Sequence, residues 1–282
     1  MNINNVKIVA DSSCDLSGLN NISFECAPLK IITAQKEYID TPSLDVREMV
    51  SDLQSYKGKS STSCPNAGDW LNAFGDSEFI FCVTITATLS GSYNAACLAK
   101  ETYESEHPNR RVFVLDSLST GPEMALILER LEELILSGKE FNEICNDITI
   151  YSQHTGLLFM LESMKNLANN GRVNPIVAKM AGMLGIRVVG KASEKGDLEP
   201  LNKCRGEAKA LEAIAEHMQR SGFENGKVII SHCRNPSAAH ALKELLESKF
   251  GSVQIKIHEC RALCSFYAEK GGMLIGFEKM MP

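Results

Sequence analysis

Five consecutive residues, Ser60 to Cys64, carry a hydroxyl or a thiol, and Pro65 follows at once. Three more polar groups stand just after apolar runs. Asp11, Ser12 and Ser13 follow "VKIVA", and Thr88, Ser90, Gly91 and Ser92 follow "FIFCVTIT". Ser117, Ser119, Thr120 and Gly121 follow "RVFVLD". Neutral hydroxyls, joined by the free N–H groups of a helix N-terminus, hold an anion without lysine or arginine. Pro65 is expected to open a helix, because proline is favoured at the first helical position. Gly91 lets a backbone N–H approach a ligand closely. A single carboxylate suits such a site. A triphosphate would call for G-x-x-x-x-G-K-[ST], which is absent, as is the dinucleotide fingerprint G-x-G-x-x-G. Taken singly, each serine or threonine is equally well explained as a helix cap or turn residue, worth about 1 kcal/mol.

The elements around these groups bear on the two explanations and leave both open. Through residue 153, short Val/Ile/Phe-rich runs alternate with helical patterns at roughly 44–55, 65–74, 92–104, 122–137 and 141–152. Such alternation predicts β-α units around a mostly parallel sheet. Ligands of open α/β sheets lie outside the carboxyl ends of the strands. In a parallel sheet all four polar groups are then expected to converge on one edge. The second half mixes hairpins with helices: "IRVVGKAS" and "LEPLNKCR" flank "EKGD", a turn signal, and an amphipathic helix follows from about 206 to 220. The expected organisation is an α/β protein of two domains. Residues 1–153 form a mostly parallel sheet flanked by helices, with a segment near 22–43 packing on the second domain. Residues 154–282 form an α+β domain with a mixed sheet.

Composition narrows the class. The chain has 282 residues, 44% hydrophobic, with a net charge of -6. That balance argues against nucleic-acid binding, which favours a basic face. No basic-then-apolar leader and no span-length apolar run occurs, so a cytoplasmic location without a membrane span is expected. The ten cysteines form no C-x-x-C pair and are expected to be free thiols. His258, Cys260 and Cys264 fit no common zinc spacing, and no metal or cofactor is expected. His154, His232 and His258 flank apolar runs and read as structural.

Six stretches, in order along the chain, resemble the DegV family. "ADSSCDL" at 10–16 is similar to its Asp-Ser-(Ser/Thr)-x-Asp-Leu motif, and "APLKI" at 27–31 to its second segment. "TSCP" at 62–65 resembles Thr-Ser-Gln-Pro, and "LSGSYNAA" at 89–96 resembles Ser-Gly-Thr-Tyr-x-x-Ala. "VLDSLSTG" at 114–121 and "NLANNGRVNP" at 166–175 complete the set. The resemblance implies one long-chain fatty acid held between two domains. Thr62, with Ser63 beside it, and Ser90 would bond the carboxylate, Gly91 would assist through its backbone, and Arg172 would lie nearby. It further implies a non-catalytic protein, at most a substrate-presenting subunit of a fatty acid kinase.

Two departures from the family pattern stand out. Cys64 occupies the Gln position, which raises Cys64-dependent acyl transfer as an alternative. Kinase-linked members carry His-x-Gly-Pro-Gly near the C-terminus. Here the matching stretch is "YAEKGGMLIGF", with Tyr267 in place of the histidine. That weighs against a phosphoryl-transfer partnership, although Tyr267 keeps a hydroxyl for the ligand. A relative of the dihydroxyacetone-kinase-like folds and a ligand-switched signalling module are the other readings open at this stage.

Overall fold

The computed structural model describes residues 1–179 and 184–280. In chain order its first part comprises β1 (Val6–Asp11), β2 (Ser23–Ala27), β3 (Lys30–Ile32), β4 (Glu37–Ile39), α1 (Val46–Ser55), β5 (Ser61–Ser63) and α2 (Ala67–Phe74). There follow β6 (Phe79–Thr84), α3 (Ser92–Glu106), β7 (Arg111–Asp116), α4 (Pro122–Leu136) and α5 (Phe141–Gln153). The remainder opens with β8 (Thr155–Leu161), α6 (Lys165–Asn169), α7 (Pro175–Ala178), β9 (Ile186–Ala192), β10 (Leu198–Arg205) and α8 (Glu207–Arg220). It closes with β11 (Gly226–His232), α9 (Pro236–Phe250), β12 (Val253–Glu259), α10 (Ala262–Ala268) and β13 (Met273–Glu278).

Strands β2-β1-β6-β7 form an all-parallel sheet. Its runs are apolar on both faces, as parallel strands covered on both sides must be. Val9, Ile80 and Cys82 pack with Trp70, Phe74 and Ala96 of α2 and α3. Ile8, Ala10, Phe81 and Val83 pack with Met124, Leu128 and Ile144 of α4 and α5 on the other face. The second sheet, β10-β9-β8-β13-β11-β12, is mixed: β11 and β12 run parallel and the other pairs antiparallel. The α/β class and the two kinds of sheet are those expected from the alternation of the sequence.

Helix α4 lies between the sheets. Its first half, Pro122–Leu128, is buried, while Glu129, Arg130, Glu133 and Leu136 of its second half reach solvent. Its Ala125 and Leu126 pack on Ile229 of β11, opposite the face that meets the parallel sheet. Gly276 of β13 permits the contact, since a Cβ there would lie 2.5 Å from Glu123 N. A third sheet, β4-β3-β5, is antiparallel. Ile31 and Tyr38 from it, with Met49 and Val50 of α1, share one core with Leu157, Phe159 and Leu161 of β8. No helix among the described residues is long and apolar enough to cross a membrane.

One expectation needs correction. Pro65 does not open a helix. Asn66 caps α2, accepting from Asp69 N at 3.0 Å while the Asp69 carboxylate accepts from Asn66 N at 2.9 Å. This reciprocal pair starts the helix two residues after Pro65. Nor do Ser61–Ser63 follow a strand of the parallel sheet. They are β5, with Thr62 opposite Ile31 of β3.

The other three polar groups do sit at the carboxyl ends of parallel strands, and Asp11 ties two of them together directly, while Ser13 O receives Gly121 N of the third. Its buried carboxylate accepts from Ser13 N at 3.2 Å and from the Ser13 hydroxyl. Its second oxygen accepts from Ile85 N at 2.9 Å and Ser92 Oγ at 2.7 Å. Asp11→Ala strands these donors in a dry interior. It is expected to destabilise the fold by about 2 kcal/mol or more in urea unfolding, and a change near zero would show that the donors find other partners.

Candidate functional site

A cavity of about 280 Å³ lies between the strand-end loops of the parallel sheet and the mixed sheet. Thr62, Ser63, Ser90, Gly91, Arg172 and Tyr267 all line it. The cavity lies outside the carboxyl ends of the parallel strands, where Leu29 after β2, Leu89 after β6 and Thr120 after β7 line it.

The polar lining is a connected set. Thr62 Oγ1 and Tyr267 Oη are 2.7 Å apart. The Arg172 guanidinium stands 5.9 Å from the centre of the Tyr267 ring. Arg172 donates to Leu89 O at 3.2 Å and Asn170 O at 2.6 Å. Both acceptors are carbonyls, so no carboxylate among the described residues neutralises its charge. Arg172 follows the turn that ends α6, and its own N–H returns to Leu167 O at 2.8 Å. The backbone there both stops the helix and aims the guanidinium.

Gly91 is the N-cap of α3 and makes no side-chain cap bond. The Ser90 hydroxyl accepts from Ser92 N at 3.3 Å. Fifteen residues of α3 direct their dipole at this point, favouring negative charge. A Cβ on Gly91 would lie 3.2 Å from Cys64 Sγ, which places the thiol against this helix end. None of the six histidines lines the cavity. The remaining wall is apolar: Leu157, Phe159 and Leu161 of β8, Leu198 of β10, Leu274 of β13 and Ile85 face it. An apolar slot with an anion-favouring end accommodates an amphiphile whose head is negative.

Tyr267 is placed by α10, and α10 is held from outside itself. Its N-cap, Arg261, supplies no side-chain cap. Asp40 takes that role, accepting from Leu263 N at 3.0 Å and Ala262 N at 3.3 Å. The Arg261 guanidinium lies 3.4 Å from Asp40 and donates to Leu16 O at 2.7 Å. Asp15 accepts from Arg261 N at 2.8 Å. Two carboxylates from the first forty residues thus satisfy the orphan N–H groups of a helix near the C-terminus. Burial pushes up the pKa of Tyr267, against opposing influences from Thr62 and Arg172, so its hydroxyl stays protonated and able to donate. Burial likewise raises Asp40, and it raises Asp15 to about 7.

The model described as "Uncharacterised protein, DegV family" matches residues 5–279. The chain belongs to the DegV family. A DegV domain-containing protein of Streptococcus gordonii is 42% identical over 276 residues, 96% of this chain and 98% of the relative. Among solved structures, a DegV protein of Eubacterium eligens loaded with heptadecanoic acid has TM-score 0.96 and 42% identity, covering 98% of this chain and 100% of that one. The Streptococcus pneumoniae Fatty Acid Kinase (Fak) B3 protein, loaded with linoleic acid, has TM-score 0.95 and 40% identity, covering 98% and 99%.

Sequence reasoning did not find the apolar wall or the carboxylates that hold α10. "GLLFML" is apolar on both faces of β8, so no alternation marks its cavity side. Asp40 and Arg261 lie too far apart in the chain for any local pattern to join them. Around His258, its Nε2 bonds Ser231 Oγ at 2.8 Å and Cys264 Sγ bonds Ser13 O at 3.4 Å. No group of three such side chains among the described residues could hold a metal.

The raised Asp15 pKa carries a pH dependence. An unfolded aspartate titrates near 3.8, so the folded chain holds this proton more tightly. Its contribution to stability is complete below about pH 4 and is lost as pH rises through 7, with a slope of at most about 1.4 kcal/mol per unit. Burial raises Asp11, Asp40 and Glu123 as well, so the same slope has several sources. Burial lowers His258 to about 4, which adds a slope of opposite sign below about pH 6.5, so the comparison is the test: in urea unfolding between pH 5 and 8, wild-type stability less that of Asp15→Asn is expected to fall as pH rises towards 7.

Proposed function

We propose that this DegV protein binds one long-chain fatty acid and acts in the cytoplasm as a carrier or substrate-presenting subunit, without catalysing a reaction itself. The carboxylate lies among Thr62, Ser63, Ser90 and the N–H groups at Gly91, with Arg172 and Tyr267 beside it. The tail runs along the wall formed by β8. The observation that carries this reading is the joining of two features in one cavity: an apolar slot, and an end made of hydroxyls, a helix N-terminus and an arginine with no carboxylate partner among the described residues. The acids held by the Eubacterium eligens and Fak B3 proteins support it.

The energetics agree with the division of labour. A sixteen-carbon tail buries roughly fifteen methylenes at about 0.8 kcal/mol each, before the entropy lost on binding. Hydrogen bonds to a charged head contribute about 1.5–3 kcal/mol apiece. The tail supplies most of the affinity, and the head contacts fix orientation and keep a buried carboxylate satisfied.

The Fak B3 likeness supports presentation to a fatty acid kinase, while Tyr267 in the place of the family histidine weighs for simple carriage. Cys64-dependent acyl transfer is the weaker reading, because no histidine lines the cavity to serve as a base.

Organic extraction of natively purified protein, followed by mass spectrometry, is expected to release fatty acid near one equivalent. Thr62→Val with Ser90→Ala should retain much less and bind added oleate about ten-fold or more weakly. Protein that carries no lipid and takes up no oleate or palmitate contradicts the proposal.

A further inference from the structure

The apolar wall depends on one glycine. Phe159 of β8 is the direct ladder partner of Gly190 on β9 and of Leu274 on β13. Paired residues of an antiparallel ladder project to the same face. Along β8, Leu157, Phe159 and Leu161 belong to the core on the cavity side, whereas Leu158 and Met160 join the core under α8 and α9. Along β9, Val188 and Ala192 flank Gly190 on that cavity side, whereas Val189 faces away. Gly190 therefore occupies a wall position and contributes no side chain.

The Phe159 ring uses the space. A Cβ built on Gly190 would lie 2.2 Å from Phe159 Cζ and 2.6 Å from Cε2, well inside van der Waals contact. The ring leans across the sheet over the glycine. Any side chain at 190 would push the ring off that position. Leu157, Leu161 and Leu274 stand around the ring on the same wall, so its way out leads into the cavity. The interior is close-packed, and a displaced ring does not vanish into slack.

We infer that the Gly190–Phe159 pair is a specificity-determining element, setting how long an acyl chain the cavity accepts. The inference rests on the fatty-acid reading above. With glycine at 190 the ring rests over the glycine and leaves its present room for the tail. With a methyl group there the ring rises and shortens the space for the tail. Removing the ring deepens it. Each methylene that loses or gains its place changes affinity about four-fold.

The test measures affinities for lauric, myristic, palmitic and stearic acids in wild type, Gly190→Ala, Phe159→Ala and the double variant. Thermal unfolding shows which variants fold. Gly190→Ala is expected to lower the ratio of stearic to myristic affinity by about fifteen-fold, the effect of two displaced methylenes. Phe159→Ala should move the ratio the other way, and the double variant should resemble Phe159→Ala because no ring remains to be displaced. The Gly190 Cβ would also approach Glu199 O at 2.7 Å. Should Gly190→Ala not fold, Phe159→Ala decides alone. A ratio within about two-fold of wild type in the folded variants overturns the inference while leaving fatty-acid binding intact. Wild type that binds none of the four acids overturns the fatty-acid reading, and this inference with it.

Discussion

A carboxylate buried where three chain segments meet governs the geometry of this protein. Asp11 ends β1, and its two oxygens gather donors from the loop after β1, from the end of β6 and from the first turn of α3. Burial raises its pKa against the pull of those hydrogen bonds, a sign of how little water reaches it. Through Ser92 it fixes where α3 begins, and so where Ser90 and Gly91 stand. Through Ser13 it shapes a loop whose carbonyl receives Gly121 N at 2.7 Å, just before α4. The helix between the two sheets and the helix aimed at the cavity are thus referred to one side chain.

The cavity's second anchor comes from the opposite direction. Asp40 and Asp15 hold the start of α10, and α10 carries Tyr267 to Thr62. Thr62 itself arrives on the small antiparallel sheet, whose Ile31 and Tyr38 pack into the core of β8. The polar end is therefore assembled from four separate elements, β5, α3, the turn after α6, and α10. The apolar wall is shared between the mixed sheet, through Leu157, Phe159, Leu161, Leu198 and Leu274, and the loops and helices facing it. Such an arrangement favours an extended amphiphile over a compact polar metabolite, since one end of the cavity is polar and the rest apolar. It also explains the scarcity of cations. A helix end and neutral hydroxyls suffice for one negative charge in a dry site, and Arg172 adds a single positive charge beside them.

Local signals carried much of the fold. The Val/Ile/Phe runs of β1, β6 and β7 read as covered parallel strands, and "EKGD" read as the turn between β9 and β10. The polar residues after those three parallel strands were visible as groups because a parallel sheet puts all its strand ends on one edge. Residues 60–63 misled. Small hydroxyl residues before a proline suit a helix start, but the Asn66–Asp69 capping box set the boundary further on, and β3 recruited the serines as a strand. What no local pattern could carry is long-range. The caps of α10 come from more than two hundred residues away, and the partner of Phe159 is a glycine, which has no side chain to signal its place in a wall. The order of short motifs along the chain supplied what periodicity did not, by pointing to a family whose solved relatives hold fatty acids.

The fatty-acid reading stands or falls on one orientation: head group at the α3 N-terminus, tail along β8. A crystal structure of the protein saturated with palmitate tests it most directly. The expected result is a carboxylate within hydrogen-bonding distance of Thr62 Oγ1, the Ser90 hydroxyl and Gly91 N, with the methylene chain against Leu157 and Phe159. A chain lying in the reverse direction, or palmitate bound outside this cavity, would contradict it.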